Sequence, residues 1–373
     1  MIGGSEIKGE KMNHPLMKQE APEFTKERIL VIGGAGFVGS NLVKAIRECS
    51  PKEILIVDNL LSSEQSNVPV SSDITWIEGS ITDDQILQGL TDDIRYIFHL
   101  ATFHGNQNSI YDPLADHQNN VLTTLKLYDR IKKFKRIKKI VYSSAGCTVA
   151  KKTFDKADAT TEDAPISLHL DSPYQISKII GEFYSNYYYA QHHLPVVKAR
   201  FQNAYGPGEI LGAGRWRGTQ ATIWRNVIPT FIYRGLKQMP LILENNGIAT
   251  RDFIYVDDIV RGLMFCATVG RPGEVYNLAS GEETSIMELA ELINKLTGNS
   301  VPIQYGPKRE WDRSGRRVGS PLKAKKEMGF EVRVDLNQGL TRTIKWTEQN
   351  MPFIEACIQR HSVYMEREKE SCG

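Results

Sequence analysis

Tyr174 and Lys178 stand four residues apart, so on a helix they share one face, and Ser144 closes the apolar run Ile140-Val141-Tyr142-Ser143 upstream of them. With a pKa of about 10, tyrosine alone is a poor base at neutral pH. A lysine beside it stabilises the phenolate and makes the pair an acid/base device, with the serine placed to hold the alcohol whose proton is exchanged. Taken alone, the same spacing describes an ordinary surface pair. The chemistry depends on what the rest of the chain sets in front of that helix.

What it sets there is a βαβ unit. Ile29-Leu30-Val31-Ile32 reads as a buried strand, and glycines 33, 36 and 39 follow at once in GGAGFVGS. A helix from Asn41 to Glu48 shows Leu42, Val43 and Ile46 on one side, and Ile54-Leu55-Ile56-Val57 forms a second strand ending on Asp58. The GxxGxxG spacing allows a tight turn, a close backbone approach to a pyrophosphate and close packing of helix on strand. The helix N-terminus offers free N–H groups to the same anion. Asp58 can accept from both ribose hydroxyls of an adenosine and would repel a 2′-phosphate; no arginine follows it in Asn59-Leu60-Leu61-Ser62-Ser63, so the expected cofactor is NAD rather than NADP.

Further elements follow in alternation. Ile74 to Ser80 reads as a third strand with its exit loop, Tyr96 to Thr102 as a fourth, and Asn119 to Phe134 as a helix burying Val121, Leu125, Tyr128 and Ile131. The run ending at Ser144 is a fifth strand, Pro173 to His193 a helix, and Val196 to Phe201 a return to the sheet. This order predicts a Rossmann-type, doubly wound parallel α/β sheet with ligands beyond the carboxyl ends of its strands. From Gly206 the texture changes to glycine-rich turns and an Arg/Trp-rich loop, which predicts a smaller C-terminal substrate-binding lobe. The expected division is a flexible leader over 1–26 and a dinucleotide-binding domain over 27–205, with a strand at Arg251 to Asp258 and a helix returning to it around 251–268. The lobe then covers mainly 206–350, and a C-terminal helix or tail 351–373.

A net charge of +2 on 373 residues gives no reason to expect nucleic acid or a membrane surface, and the basic run from Lys132 to Lys139 reads as a solvated helix end. The five cysteines are scattered, without metal-ligand spacing, so reduced thiols, no metal and a cytoplasmic setting are expected. No apolar run approaches the ~18 residues of a membrane span.

Beyond these readings, the chain resembles the extended short-chain dehydrogenase/reductase family, specifically its nucleotide-sugar epimerases and dehydratases. The matching pieces are GGAGFVGS (33–40), DNLLS (58–62), HLAT (99–102), NNVLTT (119–124), YSS (142–144), YQISK (174–178), RFQNAYGPG (200–208), RDFIYVDDIV (251–260) and VYNLASGE (275–282). They run in family order from Glu27 to about Trp346. The resemblance implies a tightly held NAD that oxidises a nucleoside diphosphate sugar and is regenerated in the same cycle. The cofactor would be met by Gly33, Gly36, Phe37, Val38, Gly39, Asp58, Asn59, Ser80, Ile81, Leu100, Ala101, Thr102, Asn120, Tyr174 and Lys178. By position, Asn203 is similar to the residue that meets the sugar diphosphate, and Arg251 and Arg309 to phosphate-binding arginines, a task that suits a permanently charged fork of donors. The resemblance also implies a homodimer pairing the helices near 119–134 and 173–193 into a four-helix bundle; Ile176, Ile179, Ile180, Phe183, Tyr187 and Tyr188 cover more than one face of the second.

The departures from the family pattern discriminate between reactions. Ser80 stands where an acidic residue usually meets the adenine amino group. After Ser143-Ser144 come Ala145-Gly146-Cys147-Thr148, so either Ser144 or Thr148 faces the sugar, with Ser144 preferred. Ala145-Gly146 carries no carboxylate where the 4,6-dehydratases have an Asp-Glu pair, which disfavours dehydration unless Glu162 or Asp163 enters from the following loop. Cys147 lies one residue beyond the position of a cysteine in the GDP-mannose 3,5-epimerases, and Arg215-Trp216-Arg217-Gly218 stands where their Trp-Lys-Gly loop supplies an acid. A thiolate there could take a proton next to a keto group, with Arg217 stabilising the enolate; the plain alternative is a buried core cysteine. The expected function is an NAD-dependent epimerase acting through a transient 4-keto sugar. A dehydratase or decarboxylase on the same fold, and a non-catalytic NAD-sensing protein, are the alternatives.

Overall fold

The structure, a computed structural model, describes residues 22–146, 158–308 and 315–371. Seven parallel strands form the main sheet: β1 Arg28–Ile32, β2 Glu53–Asp58, β3 Ile74–Glu78, β4 Ile94–His99, β5 Lys139–Ala145, β6 Val196–Phe201 and β7 Val275–Leu278. Their order across the sheet is β7-β6-β5-β4-β1-β2-β3. β1, β2, β5 and β6 are buried along almost their whole length, as parallel strands covered on both faces must be. The strand order reverses between β1 and β4, and the crevice opens at their carboxyl ends.

The elements differ from expectation where side chains override the pattern. The first helix, Phe37–Glu48, begins inside the glycine motif, since Val38, Gly39 and Ser40 are already wound. The helix expected at 119–134 starts earlier, passes through a π-wound segment at His117–Leu122 and continues as Thr123–Ile131. Thr123 and Thr124 donate back to the carbonyls of Asn119 and Asn120 at that point.

Arg251 to Asp258 is not a strand of the main sheet. Phe253–Tyr255 pairs with the short strand Asn203–Tyr205, and a helix begins at Val256 because Asp257 and Asp258 suit its positive N-terminal turn. The returning strand is β7, which pairs with β6. The leader is also shorter than expected: Phe24 is fully buried, its ring edge-on to Tyr96 at 4.9 Å, so the folded unit starts before residue 27.

One apolar cluster runs from Ile29, Val31 and Leu42 to Phe231, Leu289 and Leu340 of the later helices, so lobe and sheet share a core. The C-terminal segment is no tail. Helix Met351–Gln359 buries Ile354 and Cys357 against Ile210, Leu211 and Ile223, and Tyr364 of helix Ser362–Ser371 stacks on Trp216 at 5.2 Å. Among the described residues no helix is long and apolar enough to cross a membrane.

Candidate active site

The glycine turn between β1 and the first helix is too tight for any side chain at two points. Gly33 has φ of +85°, and a Cβ there would lie 2.6 Å from the Ala101 nitrogen; at Gly39 it would lie 2.1 Å from the Gly33 oxygen. Gly36 caps the helix without a side-chain hydrogen bond, and no acidic residue sits in its first turn, so its N–H groups face the cleft unneutralised. This bare cradle fits the pyrophosphate of a dinucleotide.

Asp58 ends β2 beside it. Its carboxylate accepts from Leu60 N at 2.9 Å, Ser63 Oγ at 2.9 Å and Ala35 N at 3.0 Å, which fixes its direction. Burial raises its pKa against these hydrogen bonds. Asn59, Ser80, Ile81, Leu100, Ala101 and Thr102 line the same cleft as Gly33, Gly36, Phe37, Val38 and Gly39. Asn120 is not on that wall. Its oxygen accepts from Thr102 Oγ1 and Phe103 N, and its amide donates to Asp116 and Ser177, which exhausts it. Asn119, one residue before the expected Asn120, and Thr123, three after it, line the cleft.

The helix Pro173–His192, capped by Ser172 with Pro173 in its first turn, aims Tyr174 and Lys178 into the cleft. Lys178 is 3% exposed; its ammonium donates to the Ser143 carbonyl at 2.9 Å and lies 5.8 Å from the centre of the Tyr174 ring. Ser143, Ser144 and Ala145 at the end of β5 form the adjoining wall. Ser144 shares the strand face of Tyr142, toward the helix, and its hydroxyl donates to Glu182 at 2.5 Å. Glu182 in turn holds Arg200 through two hydrogen bonds of 2.8 Å in a pair that is 4–5% exposed. Toward the cleft Ser144 therefore has lone pairs to offer and no proton.

Asn203 lines the opposite wall, its amide tied to the Asp252 carbonyl at 3.1 Å. Arg251 is not among the described residues that line the cleft; it donates to the carbonyls of Thr250 and Gly315. Arg217 is buried behind the wall. Glu162 accepts from Asn277 N at 2.8 Å and Asp163 is exposed, so neither is brought to the site. Cys147, Thr148 and Arg309 lie outside the described residues.

Sequence reasoning missed His104, Glu209, Arg225 and Arg317, all of which line the cleft. Only one local signal could have pointed to them: Arg225-Asn226 immediately precedes helix Val227–Leu236, whose start faces the site. The His104 ring is 6.0 Å from that of Tyr174, and burial, then Arg225, Arg217 and Lys178, press its pKa down to about 3, so it stays neutral. Burial pushes the Glu209 carboxyl up to about 7 in spite of Arg225. Among the described residues no cluster of His, Cys, Asp or Glu is placed to hold a metal ion.

Comparison with known proteins places these features. Residues 29–279 match the model of the NAD dependent epimerase/dehydratase family. The crystal structure of the Bordetella bronchiseptica enzyme WbmF in complex with NAD+ and UDP superposes with a TM-score of 0.84 at 55% identity, over 93% of this chain and 99% of that one. A putative UDP-glucose 4-epimerase of Methanocaldococcus jannaschii is 28% identical over 86% of this chain and 99% of its own length. A dTDP-D-glucose 4,6-dehydratase of Bos taurus is 27% identical over 88% and 91% respectively.

Proposed function

Since the chain belongs to the NAD dependent epimerase/dehydratase family and is an NAD-dependent enzyme, we propose that it inverts C4 of a nucleoside diphosphate sugar through a transient 4-keto sugar. Bound NAD supplies a reversible hydride acceptor for the sugar carbon. The glycine turn, Asp58 and the Leu100–Thr102 edge would hold it. Tyr174 exchanges a proton with the sugar 4-hydroxyl. Lys178, clamped on the Ser143 carbonyl, keeps a positive charge beside the phenol. Ser144, its own proton committed to Glu182, accepts a hydrogen bond from the substrate and so orients it.

The observation that carries the reading is the pair of half-buried Tyr174 and buried Lys178, facing the same cleft as the glycine turn. A dehydratase needs carboxylates beside the end of β5; among the described residues the carboxylates lining the cleft are Asp58, which serves the adenosine side, and Glu209, which is bound to Asn226. On the substrate side, Asn203 and Arg317 are candidates for the sugar diphosphate. UDP in the WbmF complex makes uridine nucleotides the first to try. Exposed Ile176, Phe183 and Tyr187 on helix Pro173–His192 support a homodimer through that helix.

The test is a panel of UDP-, GDP-, CDP- and dTDP-sugars, with and without a uronic carboxylate, incubated in deuterated water and read by NMR. The expected result is C4 inversion with no deuterium incorporated. Deuterium at C3 or C5 would assign Cys147 a base role, and loss of water or carbon dioxide would refute the epimerase reading.

A further inference from the structure

The loop from Gly212 to Asn226 brings Arg225 to the cleft, with Arg217 buried behind the wall. Gly214 N donates to Glu64 at 2.9 Å and Arg215 N to the Leu61 carbonyl at 3.1 Å, and Arg225 Nη1 donates to the Ser62 carbonyl at 3.2 Å. Arg360 of the C-terminal segment clamps Glu64 from outside at 2.8 Å. The loop of the later part of the chain is thereby stitched onto residues 61–64, directly after Asp58.

The charges at this seam lack counterions. Among the described residues, Arg217, 5% exposed, bonds only Thr222 and has Nε and Nη1 buried with no partner, and neither it nor Arg225 forms an ion pair. His104 Nδ1 is likewise buried without a partner. Of the nearby carboxyls among the described residues, Glu64 is clamped by Arg360, and Glu209 is bonded to Asn226 and has its pKa raised by burial, so they neutralise the arginines incompletely. A buried guanidinium, Arg217, and a half-buried one, Arg225, are costly to keep without an anion unless a ligand brings one. The substrate diphosphate has a candidate cation of its own in Arg317, which stands two residues before Gly319, whose nitrogen is bonded to Asp252, the residue that holds Asn203. Arg225 lines the same cleft, but its hydrogen bond to the Ser62 carbonyl ties it to the residues that follow Asp58, and His104 lines the cleft with it.

We propose that Arg225, backed by Arg217 and joined by the neutral His104, closes over the pyrophosphate of NAD from the side opposite the glycine turn and so locks the cofactor in place. The anion is then held between backbone N–H groups from the first βαβ unit and guanidinium groups from the loop at 212–226. Release of NAD requires that loop to part from residues 61–64. The inference rests on the chain being NAD-dependent and is independent of which sugar it converts.

The test compares the full-length protein with Arg225→Gln and Arg225→Lys, measuring affinity for NAD, ADP-ribose, adenosine and UDP by calorimetry on nucleotide-freed protein. Arg225→Gln is expected to weaken NAD and ADP-ribose by roughly 10- to 100-fold, as loss of a charged hydrogen bond does, and to leave adenosine and UDP unchanged. Arg225→Lys should recover part of the loss. Weakened UDP with unchanged NAD would overturn the proposal by assigning the arginine to the substrate diphosphate. An equal loss for adenosine would overturn it by showing that Arg225 merely holds the 61–64 loop.

Discussion

At the dinucleotide end of the cleft the backbone binds: glycines 33 and 39 leave no room for a Cβ, the helix starting at Phe37 points uncapped N–H groups outward, and one carboxylate, Asp58, is fixed by three hydrogen bonds. At the reacting end, side chains from distant segments meet: Tyr174 and Lys178 from one helix, Ser144 from β5, and Glu182 and Arg200 beneath them. The first end is pre-formed by local sequence and tolerates no substitution at its turn. The second depends on buried polar groups that satisfy one another, where losing one partner strands the rest.

The contrast can be broken most sharply at Tyr174. Tyr174→Phe keeps the ring and its packing near His104 but removes the proton carrier, so kcat should fall by roughly 10²–10⁴-fold while NAD affinity is unchanged. Steady-state kinetics alongside cofactor titration would read this, and a matching loss of NAD binding would mean that the two ends are not separable.

Glu182→Ala strands Arg200 and frees the Ser144 hydroxyl. With both partners of the ion pair 4–5% exposed, the expected loss of stability is about 3–5 kcal/mol in urea unfolding. A loss below about 1 kcal/mol would show that water or rearrangement replaces the carboxylate.

The smallest effect concerns Glu209. Its carboxyl titrates near 7 in the folded chain against 4.5 ordinarily, so between those values the folded state keeps a proton that the unfolded state has released. Stability should therefore decline as pH rises from about 4.5 to about 7 and level off above. Glu209→Gln should flatten that slope and, above pH 7, gain of order 3 kcal/mol, read by denaturation at several pH values. An unchanged slope would mean that Arg225 keeps the carboxylate ionised.

The same division explains what the sequence disclosed. The βαβ unit, Asp58 and the Tyr174–Lys178 spacing were legible because each is set within a few turns of chain, and the parallel sheet followed from their alternation. Ser144 is preferred over Thr148 from the motif, but its bond to Glu182 beneath was not legible, since it joins β5 to a helix residue 38 positions on. Asn119 rather than Asn120 lines the cleft because π winding at His117–Leu122 rotates the helix relative to ordinary spacing. Arg251 to Asp258 alternates like a strand, but its acidic end starts a helix. Arg225 has no motif of its own; its place follows from the contact between its loop and residues 61–64.

The most direct test of the central claim uses a nucleotide sugar, turned over by the enzyme, that carries deuterium at C4. The account predicts that the product keeps the label on C4 with inverted configuration, because the hydride leaves and returns to the same carbon. Label found on C6 with loss of water, or lost from the sugar altogether, would contradict it.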